Sequence, residues 1–424
     1  MEAFLRSLIP QAGAPAGPFG LERVRALLAG LGDPHRGRRV VHVAGTAGKG
    51  STATLLASIL RAAGYRTGLH VSPEVVTLGE RAQVDGAPAT AAELGALLDR
   101  VRPAVEALEP RPSYFETLWA MALLRFADAG TDVDVVEAGL GGGGDATNVV
   151  ESRHQVLTNV GLDHTAVLGG TRAAILREKQ GIVKPGSTVV SGIRDRALRA
   201  QLEGHAAALG ATVAFAGRDF SARRRGGAFD LRDGDRRLRG LEVAPLGQHA
   251  NGALAAATAL RLGGELERID EIAIRRGLRE ARLPGRLDVV RRAPLTVLDG
   301  AHNPAKVRWL VAALRDAFPG RRWITVFRFK PRADVWRSLH ALDAISRHLI
   351  LTRSDRPGDM GVEPGYDDAA LRRAARELGA SACQPPAEAL ARATAMAGDD
   401  PGAGVLATGS IHMLAELYAA LRAD

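Results

Sequence analysis

A chain of 424 residues, 46% hydrophobic and 24% charged, exceeds what one core usually organises, so two domains of a soluble globular protein are expected. No apolar run reaches the roughly 20 residues of a membrane helix; the opening MEAFLRSLIP has an acid and too short an apolar core for a secretory signal; and a single cysteine, Cys383, excludes a disulfide framework or a cysteine metal cluster, which together point to a cytoplasmic protein. The formal charge is +9, yet only five of the 56 basic residues are lysines (Lys49, Lys179, Lys184, Lys306, Lys330) and the arginines are scattered without interleaved aromatics, so nucleic-acid binding is not expected and each lysine inside a motif is more informative.

In chain order, an amphipathic helix over about Leu21 to Leu31 precedes Val40-Val41-His42-Val43, a strand that runs into the turn Ala44-Gly45-Thr46-Ala47-Gly48. Lys49-Gly50-Ser51-Thr52 then opens an apolar-periodic helix. Strand, glycine turn and helix in this order form a phosphate cradle: N–H groups at the helix start bind oxygens, a lysine neutralises them, and a hydroxyl reaches a bound metal. The spacing Gly45-x-x-Gly48-Lys49-Gly50-Ser51 departs from the common G-x-x-x-x-G-K-S/T form, but its setting favours a nucleoside triphosphate site over an ordinary strand-to-helix turn.

Tyr65 to Val71 reads as a second strand ending in Ser72-Pro73-Glu74. Gly79-Glu80-Arg81 and a turn at Asp85-Gly86 lead to a helix from Thr90 to Leu108, opened by the capping box Thr90-x-x-Glu93. A helix over Ser113 to Ala129 follows, its aromatics assigned to the core. The strand Asp134 to Glu137 delivers a carboxylate into the glycine-rich loop Ala138 to Asn148. The strand Gln155 to Val160 delivers Asp163-His164 in the same way, at the strand ends where open α/β sheets bind ligands. Glu178 to Gly186 ends a helix and turns into the strand Thr188 to Val190. Residues 220–243 suggest a β-hairpin turning at Asp233-Gly234, with its arginines as a wet face. A helix runs from Asn251 to Leu262.

Leu283 to Asp288 marks the domain boundary. The expectation is an ATP-binding domain over 1–283 and a smaller α/β domain over 284–424. In the latter a strand ends at Asp299, followed by Gly300-Ala301-His302-Asn303-Pro304 and a helix to Ala317. Further strands are expected at Trp323 to Phe327, His348 to Leu351 and Val405 to Ala407. The fold class is α/β: a P-loop-type, mainly parallel sheet flanked by helices, with a second Rossmann-like domain.

The residues alone nominate the phosphate loop, Glu137, the Asp163-His164 pair, and Asp299 with His302. Mg²⁺ shared with a triphosphate needs one or two protein carboxylates or hydroxyls, which Ser51 and Glu137 can supply. Imidazole suits softer metals, so His164 on its own reads as a structural or hydrogen-bonding histidine.

Nine segments in order, HVAGTAGKGST, SPEVVTLGERAQVDG, SYFETLWA, VVEAGLGGGGDATN, LTNVGLDHTAVLGGT, REKQGIVKPG, LPGRLD, LDGAHNPA and VLATGSIHML, closely resemble the motifs of the bifunctional dihydrofolate synthase/folylpolyglutamate synthase family of the Mur ligase superfamily. The resemblance implies an ATP-dependent amide ligase that phosphorylates a pteroate- or folate-like carboxylate and couples it to L-glutamate, acting as a monomer. By position, Gly45, Thr46, Gly48, Lys49, Gly50, Ser51 and Thr52 would hold ATP. Ser51, Ser72 and Glu137 would bridge Mg²⁺, and His164 would bind a second Mg²⁺. Lys179 falls where the superfamily carries a CO₂-modified lysine. Asn251 would meet adenine, while Arg286, Asp299 and His302 would complete the nucleotide site as the domains close. Glu74, Arg81, Asp145, Thr147 and Asn148 fall in substrate motifs.

Four departures stand out. Ala47 replaces the asparagine of GTNGKGS, and Glu74 the histidine of SPHL. Gly143-Gly144 stand for Arg-Leu, and Arg332-Ala333-Asp334 for Asp-Lys-Asp. The phosphate and metal residues survive while the substrate regions change, which leaves open a paralogue joining another carboxylate to an amine, or a nucleotide-binding protein without ligase turnover. Glu74 is expected to add repulsion towards an anionic substrate.

Overall fold

The computed structural model describes residues 1–9, 20–244, 246–330, 334–353 and 368–423. Of the substituted triplet, Arg332 and Ala333 lie outside the described residues. The chain forms two compact units. The first comprises Met1–Glu74, Leu78–Ala244 and Gln248–Arg282; the second comprises Val75–Thr77, Pro245–Gly247 and Leu283–Asp424.

The first unit is built on β1 (Val40–Ala44), β2 (Thr67–His70), β3 (Gln83–Val84), β4 (Ala87–Pro88), β5 (Val133–Glu137), β6 (His154–Leu157), β7 (Thr188–Ser191) and β8 (Thr212–Phe215). These make one eight-stranded sheet in the order β4-β3-β2-β5-β1-β6-β7-β8. It is parallel from β2 to β8, with β3 and β4 added antiparallel at one edge. β1 is buried along its whole length, as a near-continuous apolar strand covered on both faces should be. It lies between β5 and β6, with Val43 beside Glu137 and Ala44 beside Leu157. The chain crosses from one side of β1 to the other between β5 and β6. That reversal opens a crevice at the C-terminal ends of these three strands.

Local sequence sets the helices. Thr90 accepts from the Glu93 N–H while Glu93 accepts from the Thr90 N–H, closing the expected box. Ser113 and Glu116 form a second box at the start of Tyr114–Ala129, whose Trp119, Met121 and Phe126 are core residues. The glycine turn after β1 is followed by the helix Lys49–Ala62. It is crossed closely by the helix Glu271–Glu280, with the Ser58 hydroxyl donating to the Gly277 carbonyl at 2.8 Å.

Two expectations are corrected. Residues 220–243 form three antiparallel strands, β9 (Phe220–Arg225), β10 (Ala228–Asp233) and β11 (Arg236–Glu242), rather than a hairpin. The first is hidden in sequence because Ser221 to Arg225 are all exposed and show no alternation. β6 stops at Leu157, and Thr158 to Val160 leave the ladder to serve the glycine turn.

The second unit has a six-stranded sheet of β12 (Asp288–Arg292), β13 (Leu295–Leu298), β14 (Arg322–Arg328), β15 (Ser346–Thr352), β16 (Ser381–Ala382) and β17 (Ala403–Thr408). The order is β12-β13-β17-β14-β15-β16, parallel except for β12. Trp323, Phe327 and Leu406 fill one face, Ile324, Val326 and Val405 the other.

The helix crossing at Gly277 fixes the helix that carries Lys49. A Cβ on Gly277 would lie 2.4 Å from the Ile59 Cα, which is backbone and cannot swing away. Gly277→Ala is expected to lower unfolding free energy by about 1–3 kcal/mol in a denaturant titration. Gly264→Ala, with open space around it, serves as the near-neutral comparison; equal midpoints for the two would refute the packing argument.

Candidate active site

The turn between β1 and the helix Lys49–Ala62 is shaped by two glycines that admit other side chains. Gly48 caps the helix in the left-handed region at φ 79°, and a Cβ there would sit 2.5 Å from the Asn251 Oδ1. A Cβ on Gly50 would sit 2.8 Å from the Glu137 Oε2. The glycine spacing thus lets Asn251 and Glu137, far apart in sequence, approach the loop.

Glu137 ends β5 with a side chain only 7% exposed, and its Oε1 lies 4.0 Å from the Lys49 Nζ. Its Oε2 accepts the Ser72 N–H at 3.0 Å. Ser51 is buried beside Lys49, and Thr52 is fully enclosed. One carboxylate, two serines and a lysine therefore gather at the end of β1. Among the described residues, no three His, Cys, Asp or Glu side chains converge on a point. A hard ion that keeps waters and phosphate oxygens in its shell needs no such protein cage, so the donor set fits Mg²⁺ delivered with a triphosphate.

Residues not singled out in the sequence hold the turn. Asn159 accepts the Ala47 N–H at 3.0 Å and donates through Nδ2 to the Ala47 carbonyl at 2.9 Å. Thr158 donates to the same carbonyl at 2.7 Å. The Gly161 N–H reaches the Thr46 Oγ1 at 3.0 Å, and the Asn159 carbonyl accepts the Thr46 N–H at 3.0 Å. The available signal was their position just past a strand, in the same segment as Asp163 and His164. His164 itself has a left-handed backbone, φ 49°, uncommon for a residue with a Cβ. Its half-exposed ring has Nε2 4.0 Å from the Asp163 Oδ1.

Lys179 is almost completely buried at the end of the helix Arg172–Lys179. Burial, followed by the nearby positive charge of Lys49, pulls its ammonium down to about 8 against the opposing fields of Asp163 and Asp145. Asp145, Thr147 and Asn148 are enclosed and braced against the protein. Asp145 accepts the Leu140 N–H at 2.7 Å and the Thr147 N–H at 3.0 Å. Thr147 meets the His42 Nε2 at 2.9 Å. Asn148 donates to the Gly143 and Gly181 carbonyls and accepts from the Lys184 Nζ at 2.8 Å. They hold the glycine-rich loop after β5 in shape. The expected repulsion from Glu74 is corrected: its carboxylate pairs with the buried Arg81 at 2.6 Å, and Arg81 also lies over the Tyr114 ring, 5.4 Å from its centroid.

In the second unit, Asp299 follows β13 and accepts the Leu287 and Ala301 N–H groups at 2.9 and 2.8 Å. Burial raises its pKa against the field of Arg286. The His302 Nδ1 meets the Gly300 carbonyl at 3.0 Å, and its Nε2 the Lys306 Nζ at 3.2 Å.

This fold and loop define a Mur-type ligase. The middle domain of that class matches residues 43–259 and its glutamate ligase domain residues 285–411. Within the class, the chain belongs to the dihydrofolate synthase/folylpolyglutamate synthase family. It is 35% identical to the Bacillus subtilis dihydrofolate synthase/folylpolyglutamate synthase over 82% of this chain and 84% of that one, and 37% identical to the Lacticaseibacillus casei folylpolyglutamate synthase over 70% and 72%. Its structure superposes on Escherichia coli FolC in complex with DHPP and ADP with a TM-score of 0.85 at 29% identity, covering 100% of this chain and 97% of that one.

Removing Asn159 takes the acceptor from the Ala47 N–H and leaves the Ala47 carbonyl to Thr158 alone, at a cost of about 1–3 kcal/mol. Asn159→Ala is expected to weaken ADP binding about tenfold in calorimetric titration; unchanged affinity would remove the clasp from the nucleotide site.

Proposed function

We propose that this chain joins L-glutamate to a pteroate- or folate-like carboxylate at the expense of ATP, as a cytoplasmic monomer. The convergence of Lys49, Glu137 and Ser72 on the glycine turn, in a chain of this family, carries the reading. A carboxylate oxygen of the acceptor attacks the γ-phosphorus of ATP, the bond to ADP breaks, and an acyl phosphate forms. The glutamate nitrogen then attacks the acyl carbon, phosphate leaves, and the nitrogen loses its proton. The first step brings two anions together, so Lys49 is assigned to offset their repulsion and the charge spread over the transferring group. Ser51, Ser72 and Glu137 would hold Mg²⁺, with His164 at a second Mg²⁺; the ion supplies Lewis-acid screening of the phosphates when bound. Asn251 in the first unit and Arg286, Asp299 and His302 in the second are assigned to the nucleotide. Arg81, held by Glu74, is assigned to the acceptor, and Asp145, Thr147 and Asn148 to shaping the loop around it.

Lys179 is assigned as the carbamylated lysine. The ammonium first gives up a proton; the neutral amine then attacks CO₂, a carbon–nitrogen bond forms and a second proton is released, so that a buried cation becomes an anion that would support a bound metal. A pKa of about 8 leaves roughly a tenth of the amine neutral at pH 7, far more than an ordinary lysine. With ¹³C-labelled bicarbonate, a carbamate resonance is expected that grows as pH rises from 7 through 8 and is absent in Lys179→Met. An identical spectrum from the variant would rule the modification out.

A second reading, the same chemistry on a non-folate acid, is favoured by Ala47 and Gly143-Gly144 standing where the family has asparagine and Arg-Leu. Phosphate release from ATP decides between them: dependence on both dihydropteroate, or a folate, and L-glutamate supports the first, and dependence on another acid the second. Lys49→Ala and Glu137→Ala are each expected to cost at least about 10³-fold in turnover with unchanged circular dichroism. Retained turnover in either would falsify the site assignment.

A further inference from the structure

The outward face of the β9-β10-β11 sheet collects arginines in a way that a solvated surface does not require. Its inward face is matched: Phe229, Leu231, Leu238 and Leu241 are buried, and Asp233 pairs with Arg261 at 2.8 Å. The outward face presents Arg223, Arg225, Arg232, Arg237 and Arg239, all exposed, around a shallow depression of about 500 Å³. Arg232 and Arg237 are direct register partners, and like charges directly opposite on a ladder cost stability. The acid in their midst, Asp230, is already engaged by Arg225 at 2.7 Å and by the Gly240 N–H at 2.8 Å. Glu242 lies at the far end of the face, opposite Ala228.

We infer that this face binds a chain of carboxylates, and that its occupant is the γ-linked glutamate tail of the ligase's own substrates and products. The inference rests on the function proposed above. Guanidinium groups pair with carboxylates through two parallel hydrogen bonds. Arg223 and Arg225, or Arg237 and Arg239, are alternate residues of one strand, spaced about 6.5–7 Å. An extended γ-glutamyl unit has five backbone bonds and repeats its free carboxylate roughly every 6 Å, so successive carboxylates can meet successive arginines. The face carries no aromatic side chain on which nucleic-acid bases could stack.

The sheet also packs close to the candidate active site within the same unit. A Cβ on Gly252 would touch Val243 at 2.8 Å and Phe229 at 3.3 Å, and Gly252 directly follows Asn251, the residue that reaches Gly48. That contact is made by the inward face, so the arginines lie on the opposite side of the same small sheet, within reach of a tail of several units rather than of the first.

The test uses the full chain without ATP, titrated with fluorescent γ-linked pentaglutamate. Binding that weakens with added salt is expected, and Arg232→Ser/Arg237→Ser should lose about fivefold in affinity while its thermal midpoint stays level or rises, as loss of the repulsion requires. Arg372→Ser/Arg373→Ser, the same charge change in the second unit, should lose none. Equal loss in both double variants would reduce the effect to net charge and overturn the site. Tighter binding of single-stranded oligothymidine or of α-linked pentaglutamate would overturn the occupant. In turnover, the KM for long-tailed acceptors should rise in Arg232→Ser/Arg237→Ser, with kcat and the short-acceptor KM unchanged. Absence of ligase turnover with tail binding intact would refute the catalytic reading alone.

Discussion

Everything in the candidate site depends on the backbone at Ala47. The phosphate turn must offer its N–H groups outward to an anion, so its remaining polar groups need partners within the protein. Asn159 and Thr158 supply them from the segment after β6, while Glu137 arrives from the end of β5 on the other side. The parallel register that sets β1 between these strands makes both approaches possible. A turn held from both flanks has its geometry fixed before ligand arrives, which is what electrostatic stabilisation of a transferring phosphoryl group demands.

The charges are organised around the same turn. Lys49 sits beside a carboxylate and within the field of a second, buried lysine. Burial first, and then repulsion from Lys49, lowers the pKa of Lys179, a cost to its charged form. That cost makes sense where anions are to be gathered, because a triphosphate, a carboxylate and an acyl phosphate each bring negative charge to neutralise. The Glu74–Arg81 pair works the other way. It lets a carboxylate stand where the family has a histidine without leaving its charge unpaired, at the loss of some of the cationic character of Arg81.

Much of this was legible in the sequence, for local reasons. The strand, glycine turn and helix around Lys49 are contiguous, the capping box at Thr90 spans four residues, and Glu137 announces itself as a carboxylate at the end of an apolar run. What could not be read was long-range. Asn159 reaches Ala47 across 112 positions, and nothing in either segment encodes the pairing. Asp145, Thr147 and Asn148 are legible as a motif, but their bonds to His42, Gly181 and Lys184 outside that loop are not. β9 is masked because strand periodicity depends on one face being buried, and from Ser221 to Arg225 both faces are exposed.

That masking connects to the chain's basic character. Arginines spread over a solvated surface contribute charge without structure, and most of those here are of that kind, exposed or paired with a nearby acid. On the three-stranded sheet the ladder removes that freedom: strand register sets Arg232 against Arg237, and pleating turns both outward together. Repulsion between them is then a property of the fold rather than of chance encounter. A bound polyanion would relieve it, so the same register that destabilises the bare sheet favours the occupied one.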